Sequence, residues 1–144
     1  MDNVRDAGIF IIVVTLLTFG FALPASADFE QHIVSDTFGG ALFHDTIDFD
    51  NDGDFDVVAS GRSPGQIVWF ENTNFNFSMH VIATVSNPSR VRVCDIDEDG
   101  DYDVFAAFDL SQDSYEWWEN LNDGTFAHHY LDTYAYDARN LEFG

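Results

Sequence analysis

The stretch Asp48-Phe49-Asp50-Asn51-Asp52-Gly53-Asp54-Phe55-Asp56 recurs 47 residues later as Asp95-Ile96-Asp97-Glu98-Asp99-Gly100-Asp101-Tyr102-Asp103. Each loop runs straight into an apolar segment, Val57-Val58-Ala59-Ser60 in the first case and Val104-Phe105-Ala106-Ala107 in the second. Next comes Trp69-Phe70-Glu71-Asn72, which returns as Trp117-Trp118-Glu119-Asn120 after 48 residues. A third element, Phe-x-x-His, falls at Phe29/His32, Phe77/His80 and Phe126/His129. A fixed period of this length marks an array of structural repeats. Phased on Phe-x-x-His, the repeats run over about 29–76 and 77–125, with a truncated third over 126–144.

Within the second repeat four strands are expected, at Phe77–Ile82, Ser89–Cys94, Asp103–Phe108 and Ser114–Glu119. Arg90-Val91-Arg92-Val93 alternates with period two, as a half-buried strand does. The segments between strands carry turn chemistry, for example Ser86-Asn87-Pro88 and Asn122-Asp123-Gly124. No stretch beyond residue 28 has a capped helical period. About four short strands per 45–50 residues is the pattern of β-propeller blades. The expected fold is all-β: four-stranded antiparallel blades, two complete and a third partial.

The loops read as calcium sites. Calcium takes about six to eight oxygen ligands, with Asp carboxylates and backbone carbonyls favoured. In Asp-x-Asp-x-Asp-Gly-x-x-Asp the odd positions can aim carboxylates at one centre, and glycine allows the tight turn. Side-chain ligands are expected from Asp48, Asp50, Asp52 and Asp56, and from Asp95, Asp97, Asp99 and Asp103. Asp54 and Asp101 are expected to give backbone carbonyls, their side chains staying free. So many carboxylates in nine residues repel one another strongly without a cation. Zinc would want Cys or His, which neither loop has, and magnesium prefers a small octahedral site with retained water. An EF-hand would need Glu at the twelfth loop position, where Ala59 and Ala106 stand, and flanking helices. About two Ca²⁺ per chain are therefore expected.

Composition agrees. The formal charge is −21, all five cationic residues are Arg, and ten of the 20 Asp lie in the two loops. Such a surface repels nucleic acid and anionic lipid. Hydrophobic residues at 46% argue against disorder. Gly8–Leu23 is a continuous apolar run followed by Pro24 and Ala25-Ser26-Ala27. It reads as a signal peptide over 1–27, cleaved after Ala27, and so as export to the extracellular space with no membrane contact after cleavage. The lone Cys94 allows no intrachain disulfide and is expected to be a buried thiol.

With its loops, its WFEN and WWEN elements and its Phe-x-x-His starts, the chain from about residue 29 to 144 resembles the FG-GAP/VCBS repeat family, the blades of integrin-α-like β-propellers. The resemblance implies one calcium in the loop joining the first two strands of a blade, and a role in adhesion to proteins or glycans. It also implies about seven blades in a closed ring, so further blades are expected from a longer chain or from self-assembly. Phe38-Gly39 is an FG pair, ten residues before Asp48. His32, His80 and His129 recur with the repeat and are expected to be structural, as are Glu71 and Glu119. Trp69 and Trp117 are expected in an inter-blade core, with Phe70 and Trp118 on the other face. No catalytic constellation is legible, so a structural or ligand-binding module is expected rather than an enzyme. The competing expectation is the N-terminal piece of a secreted polysaccharide-active enzyme built on a propeller.

Overall fold

The computed structural model describes residues 11–12, 30–63, 65–108 and 114–132. The expected signal segment and its cleavage point lie outside them, apart from Ile11 and Ile12. Ten strands occur among the described residues and no helix. Two of these, β1 (Ile11–Ile12) and β2 (His32–Ile33), form a small antiparallel pair. The rest form two four-stranded antiparallel meanders. The first consists of β3 (Ala41–Ile47), β4 (Asp56–Gly61), β5 (Gln66–Thr73) and β6 (Asn76–Thr84). The second consists of β7 (Pro88–Cys94), β8 (Asp103–Phe108), β9 (Tyr115–Asn120) and β10 (Phe126–Asp132). The sheets are blade-like and do not close into a barrel or ring.

Sheet membership is offset from the sequence phase by one strand. Phe77 lies in β6, which pairs with β5 from Thr73↔Asn76 to Gln66↔Thr84 and so completes the first sheet. Phe126–Asp132 likewise completes the second sheet by pairing with β9 rather than opening a third. Residues 133–144, the remainder of the expected third repeat, lie outside the described residues. The cause is the tight turn after β5. Asn74 and Phe75 both have positive φ, 52° and 64°, the backbone that suits a two-residue hairpin. Asn72 Oδ1 accepts the Phe75 N–H at 2.7 Å and fixes that turn.

Burial follows strand position. Both central strands after the loops, β4 and β8, are buried along their whole length. Buried on two faces, they read in the sequence as continuous apolar runs rather than as alternation. The main core lies between the sheets. Val58 and Ile67 of the first sheet, with Phe49 of its loop, meet Val91, Val104, Ala106, Phe108 and Trp118 of the second. Trp69 packs partly buried against the same cluster. Trp118, not Trp117, thus shares the core with Trp69. Trp117 belongs to a separate cluster with Phe105 and Ala107, on the far face of the second sheet. The sheets contribute unlike faces to their interface, so equivalent residues cannot all meet in one core. Two polar contacts align the edge strands: the Val93 N–H donates to Asp45 Oδ2 at 3.1 Å, and the Arg90 guanidinium lies 4.5 Å from the Phe43 ring centroid.

Candidate metal centre

Each aspartate loop bridges the first two strands of its sheet, between β3 and β4 and between β7 and β8. Gly53 and Gly100 have φ of 100° and 98°, a backbone that L side chains rarely adopt. A Cβ at either would meet nothing within 4 Å, so backbone conformation alone requires the glycine. Gly53→Ala is expected to destabilise the chain by about 1–3 kcal/mol in urea unfolding, with no change in core packing.

The turn folds the carboxylates inward. Asp48, Asp50 and Asp52 each place one oxygen within 4.8 Å of the others, and so do Asp95, Asp97 and Asp99. Oxygens about 2.4 Å from a calcium ion can be at most about 4.8 Å apart, so each trio spans one coordination sphere. Loop amides hold the trio in place. In the first loop the N–H groups of Asp52, Gly53 and Asp54 donate to Asp50, Asp48 and Asp52. In the second, Asp99 N–H donates to Asp95 and Asp97, Gly100 N–H to Asp95, and Asp101 N–H to Asp99. These are the same bonds in both loops apart from one extra contact to Asp95.

One atom stands out. Asp48 Oδ1 is buried and accepts no hydrogen bond. A carboxylate oxygen withdrawn from water without a donor is costly unless a cation compensates it. An all-oxygen donor set with a buried, uncompensated oxygen fits a hard divalent cation. Asp50 and Asp97 are both held above the usual carboxylate range. The first cause in each is loss of solvent around the charged form, and neighbouring carboxylates add to it: Asp52, Glu71 and Asp48 for Asp50, and Asp99, Glu119 and Asp95 for Asp97.

The ninth loop positions stand apart from the trios. Asp56 and Asp103 are the first residues of β4 and β8 and are 1% and 0% exposed. Asp56 accepts the Phe49 N–H on Oδ2 at 3.1 Å and the Asn72 N–H on Oδ1 at 2.7 Å. Asp103 does the same with Ile96 and Asn120, both at 2.9 Å. Burial raises both carboxyls, and the same amides partly offset the rise. These two side chains lock the loop to the end of the third strand.

The recurrent Asn completes that lock. Asn72 Nδ2 donates to the Phe55 carbonyl at 2.9 Å, and Asn120 Nδ2 to the Tyr102 carbonyl at 3.4 Å. Nothing in local sequence shows this, because the partners lie 17 and 18 residues away. Asp54 is not free either. Its Oδ2 accepts the Asn74 N–H at 2.8 Å and ties the loop to the β5–β6 turn. Asp101 lines a cleft of about 590 Å³ between the sheets, together with Asp50, Trp69 and Phe126.

The recurrent His and Glu residues meet each other. His80 Nε2 lies 2.7 Å from Glu71, and His129 Nε2 lies 2.6 Å from Glu119. Each imidazole stacks on the Trp directly across the strand pair, Trp69 or Trp117, with centroids 4.8 and 4.4 Å apart. His32 departs from the pattern and stacks on Phe75 at 4.1 Å. His128 adds a third pair, 2.7 Å from the buried Glu116. Cys94 is half-buried, and its thiol is pushed up by burial first and then by Asp103, Asp45 and Asp95, which disfavours the nucleophilic thiolate.

No curated protein and no solved structure matches the chain. The family of FG-GAP-like repeats matches residues 48–106, from the first aspartate of the first loop into the central strand of the second sheet. Residues 48–106 are therefore similar to FG-GAP-like repeats, and they lie here on two blade-like sheets.

Proposed function

We propose that this chain is an exported, calcium-stabilised repeat module that presents its sheets to a protein or glycan ligand and performs no chemistry of its own. The observation that carries the calcium reading is the pair of equivalent carboxylate trios, with the buried and uncompensated Asp48 Oδ1 in the first. Asp48, Asp50 and Asp52 hold one ion in this reading, and Asp95, Asp97 and Asp99 the other, with the Asp54 and Asp101 carbonyls as further donors. The bound cation neutralises charge that the loop otherwise concentrates, so binding and folding reinforce each other. Export rests on the apolar run Gly8–Leu23 and the small residues before Asp28.

Calorimetric titration of the chelated protein with Ca²⁺ tests the metal. Saturation near two ions per chain is expected, falling by one in Asp52→Ala and by one in Asp99→Ala. An absence of saturable heat, or equal affinity for Mg²⁺, would remove calcium from the proposal. The export claim is separate, and the mass of the secreted form checks it: a chain beginning at Asp28 is expected.

A further inference from the structure

The edge of a sheet presents backbone N–H and C=O groups that no neighbouring strand takes up. The edge strands here are β3 and β6 in the first sheet and β7 and β10 in the second. β3 and β7 lie against each other, joined by the Val93 N–H on Asp45 and by Arg90 over Phe43. Folded chains guard an open edge with charge, proline or a bulge. β10 ends on the charged Asp132. β6 runs for nine residues with no Asp, Glu, Lys, Arg or Pro. From Asn72 to Ser89 the sequence has no Asp, Glu, Lys or Arg at all, in a chain whose formal charge is −21.

Only one end of β6 is guarded. Its register against β5 shifts between Val81 and Ala83, which makes Ile82 an extra residue and leaves the ladder regular from Asn76 to Val81. Along that stretch Phe77, Met79 and Val81 share one face. Met79 stands opposite Phe70 and Val81 opposite Val68, so both have a neighbour on their inner side. On the outer side they are open, at 48% and 49% exposed. Ser78 and His80 take the other face, where Glu71 holds the His80 ring and Trp69 stacks on it. Met79, His80 and Val81 border the cleft between the sheets, so open space lies beside the middle of the strand.

We propose that the β6 edge pairs antiparallel with the β6 edge of a second copy of this chain, about a two-fold axis at Met79. Directly opposed residues of an antiparallel pair share a face, so a two-fold through the sheet sets one residue beside its own counterpart. With Met79 on the axis, the whole of Phe77–Val81 is paired and the Ile82 bulge stays outside. Phe77 then faces the counterpart of Val81, and one apolar row meets itself. Two chains of this charge repel each other over most of their surface. At this edge no charged residue of the strand meets its copy, which is why a second copy is the occupant. Backbone hydrogen bonds supply the attraction, and the small contact area makes the dimer weak and reversible. The pairing continues one sheet into its copy and needs no surface that is buried in the single chain. It stands whether or not the loops take calcium.

Sedimentation velocity of the full chain tests it, in chelator so that no cation bridges two copies, over a series to about 1 mM. The wild type is expected to rise toward about twice its single-chain mass. Met79→Lys and Met79→Glu, each measured alone, should stay at the single-chain mass, because the axis sets like charges side by side. An equimolar mixture of the two should associate again, with opposite charges facing. A wild type that stays single at every concentration overturns the proposal. Variants that each associate like the wild type also overturn it, as does a mixture that stays single. Should either variant lose its sheet signal in circular dichroism, Met79→Cys on a Cys94→Ser background takes their place. Opposed residues of a strand pair lie within disulfide reach. A disulfide-linked dimer on mild oxidation supports the two-fold, and a chain that stays unlinked overturns it.

Discussion

Asp56→Ala is expected to lower the stability of the chelated chain by about 3–5 kcal/mol, and Asp103→Ala by a similar amount. Each carboxylate is buried and accepts two backbone N–H groups, one from its own loop and one from the end of the third strand. Truncation leaves both donors without a partner, and an unsatisfied buried donor costs about 1–3 kcal/mol. The small cavity left by the carboxylate adds to that loss. Asp52→Ala removes a carboxylate too, but the amide it accepts is exposed and can turn to water. Its cost in chelator should stay below about 1 kcal/mol. Urea unfolding of the three variants checks the contrast. Equal losses at Asp52 and Asp56 would mean that the ninth position is not the lock the hydrogen bonds describe. Asp56→Asn should fall between the two, since one oxygen is kept while the amide NH₂ faces a backbone donor.

The sequence showed where each sheet's second strand begins, because an aspartate loop precedes an apolar run twice at the same spacing. It also showed that Trp-aromatic-Glu-Asn belongs to the same unit. Why Asn ends that motif was not legible, since its partner carbonyls lie in a loop 17 and 18 residues earlier. The ninth aspartate was expected as a side-chain metal ligand on spacing alone. Spacing also does not show that Asp56 and Asp103 start buried strands and each accept two backbone N–H groups. The one-strand offset in the sheets has a similar origin. Phe-x-x-His is the more visible recurrence, yet the hairpin at Asn74-Phe75 decides which sheet β6 joins. A phenylalanine at positive φ conceals that turn from residue preferences. The pairing of His80 with Glu71 and of His129 with Glu119 follows from strand register, which the motifs do not encode by themselves. Val34 gave no signal, being an apolar residue in an irregular segment, and Phe38 was visible only as half of the Phe38-Gly39 pair, which does not show that its ring packs on Phe70.

The stability order of wild type and Asp50→Asn/Asp97→Asn is expected to invert when calcium is added. The ionised forms of Asp50 and Asp97 are disfavoured in the folded chain by desolvation and by the carboxylates around them. An amide of the same shape removes that penalty and keeps an oxygen for the loop amides at Asp52 and Asp99. In chelator the double variant should therefore melt at or above the wild-type temperature. With calcium at about one hundred times its dissociation constant, each wild-type site contributes about 2.7 kcal/mol, or about 5 kcal/mol for two. For a chain of this size that is a rise of roughly 15–25 °C in Tm. The variant has a weakened ligand in both loops and should show only a small part of that rise. Thermal melts of both proteins, with chelator and with excess calcium, give the four values needed. A variant that melts below wild type under both conditions would show that these carboxylates stabilise the fold without a cation. An equal calcium response in the two proteins would place the ion elsewhere. A crossing of the two curves is the one outcome that a merely acidic, solvated turn does not produce, because such a turn has no ligand whose loss only calcium can reveal.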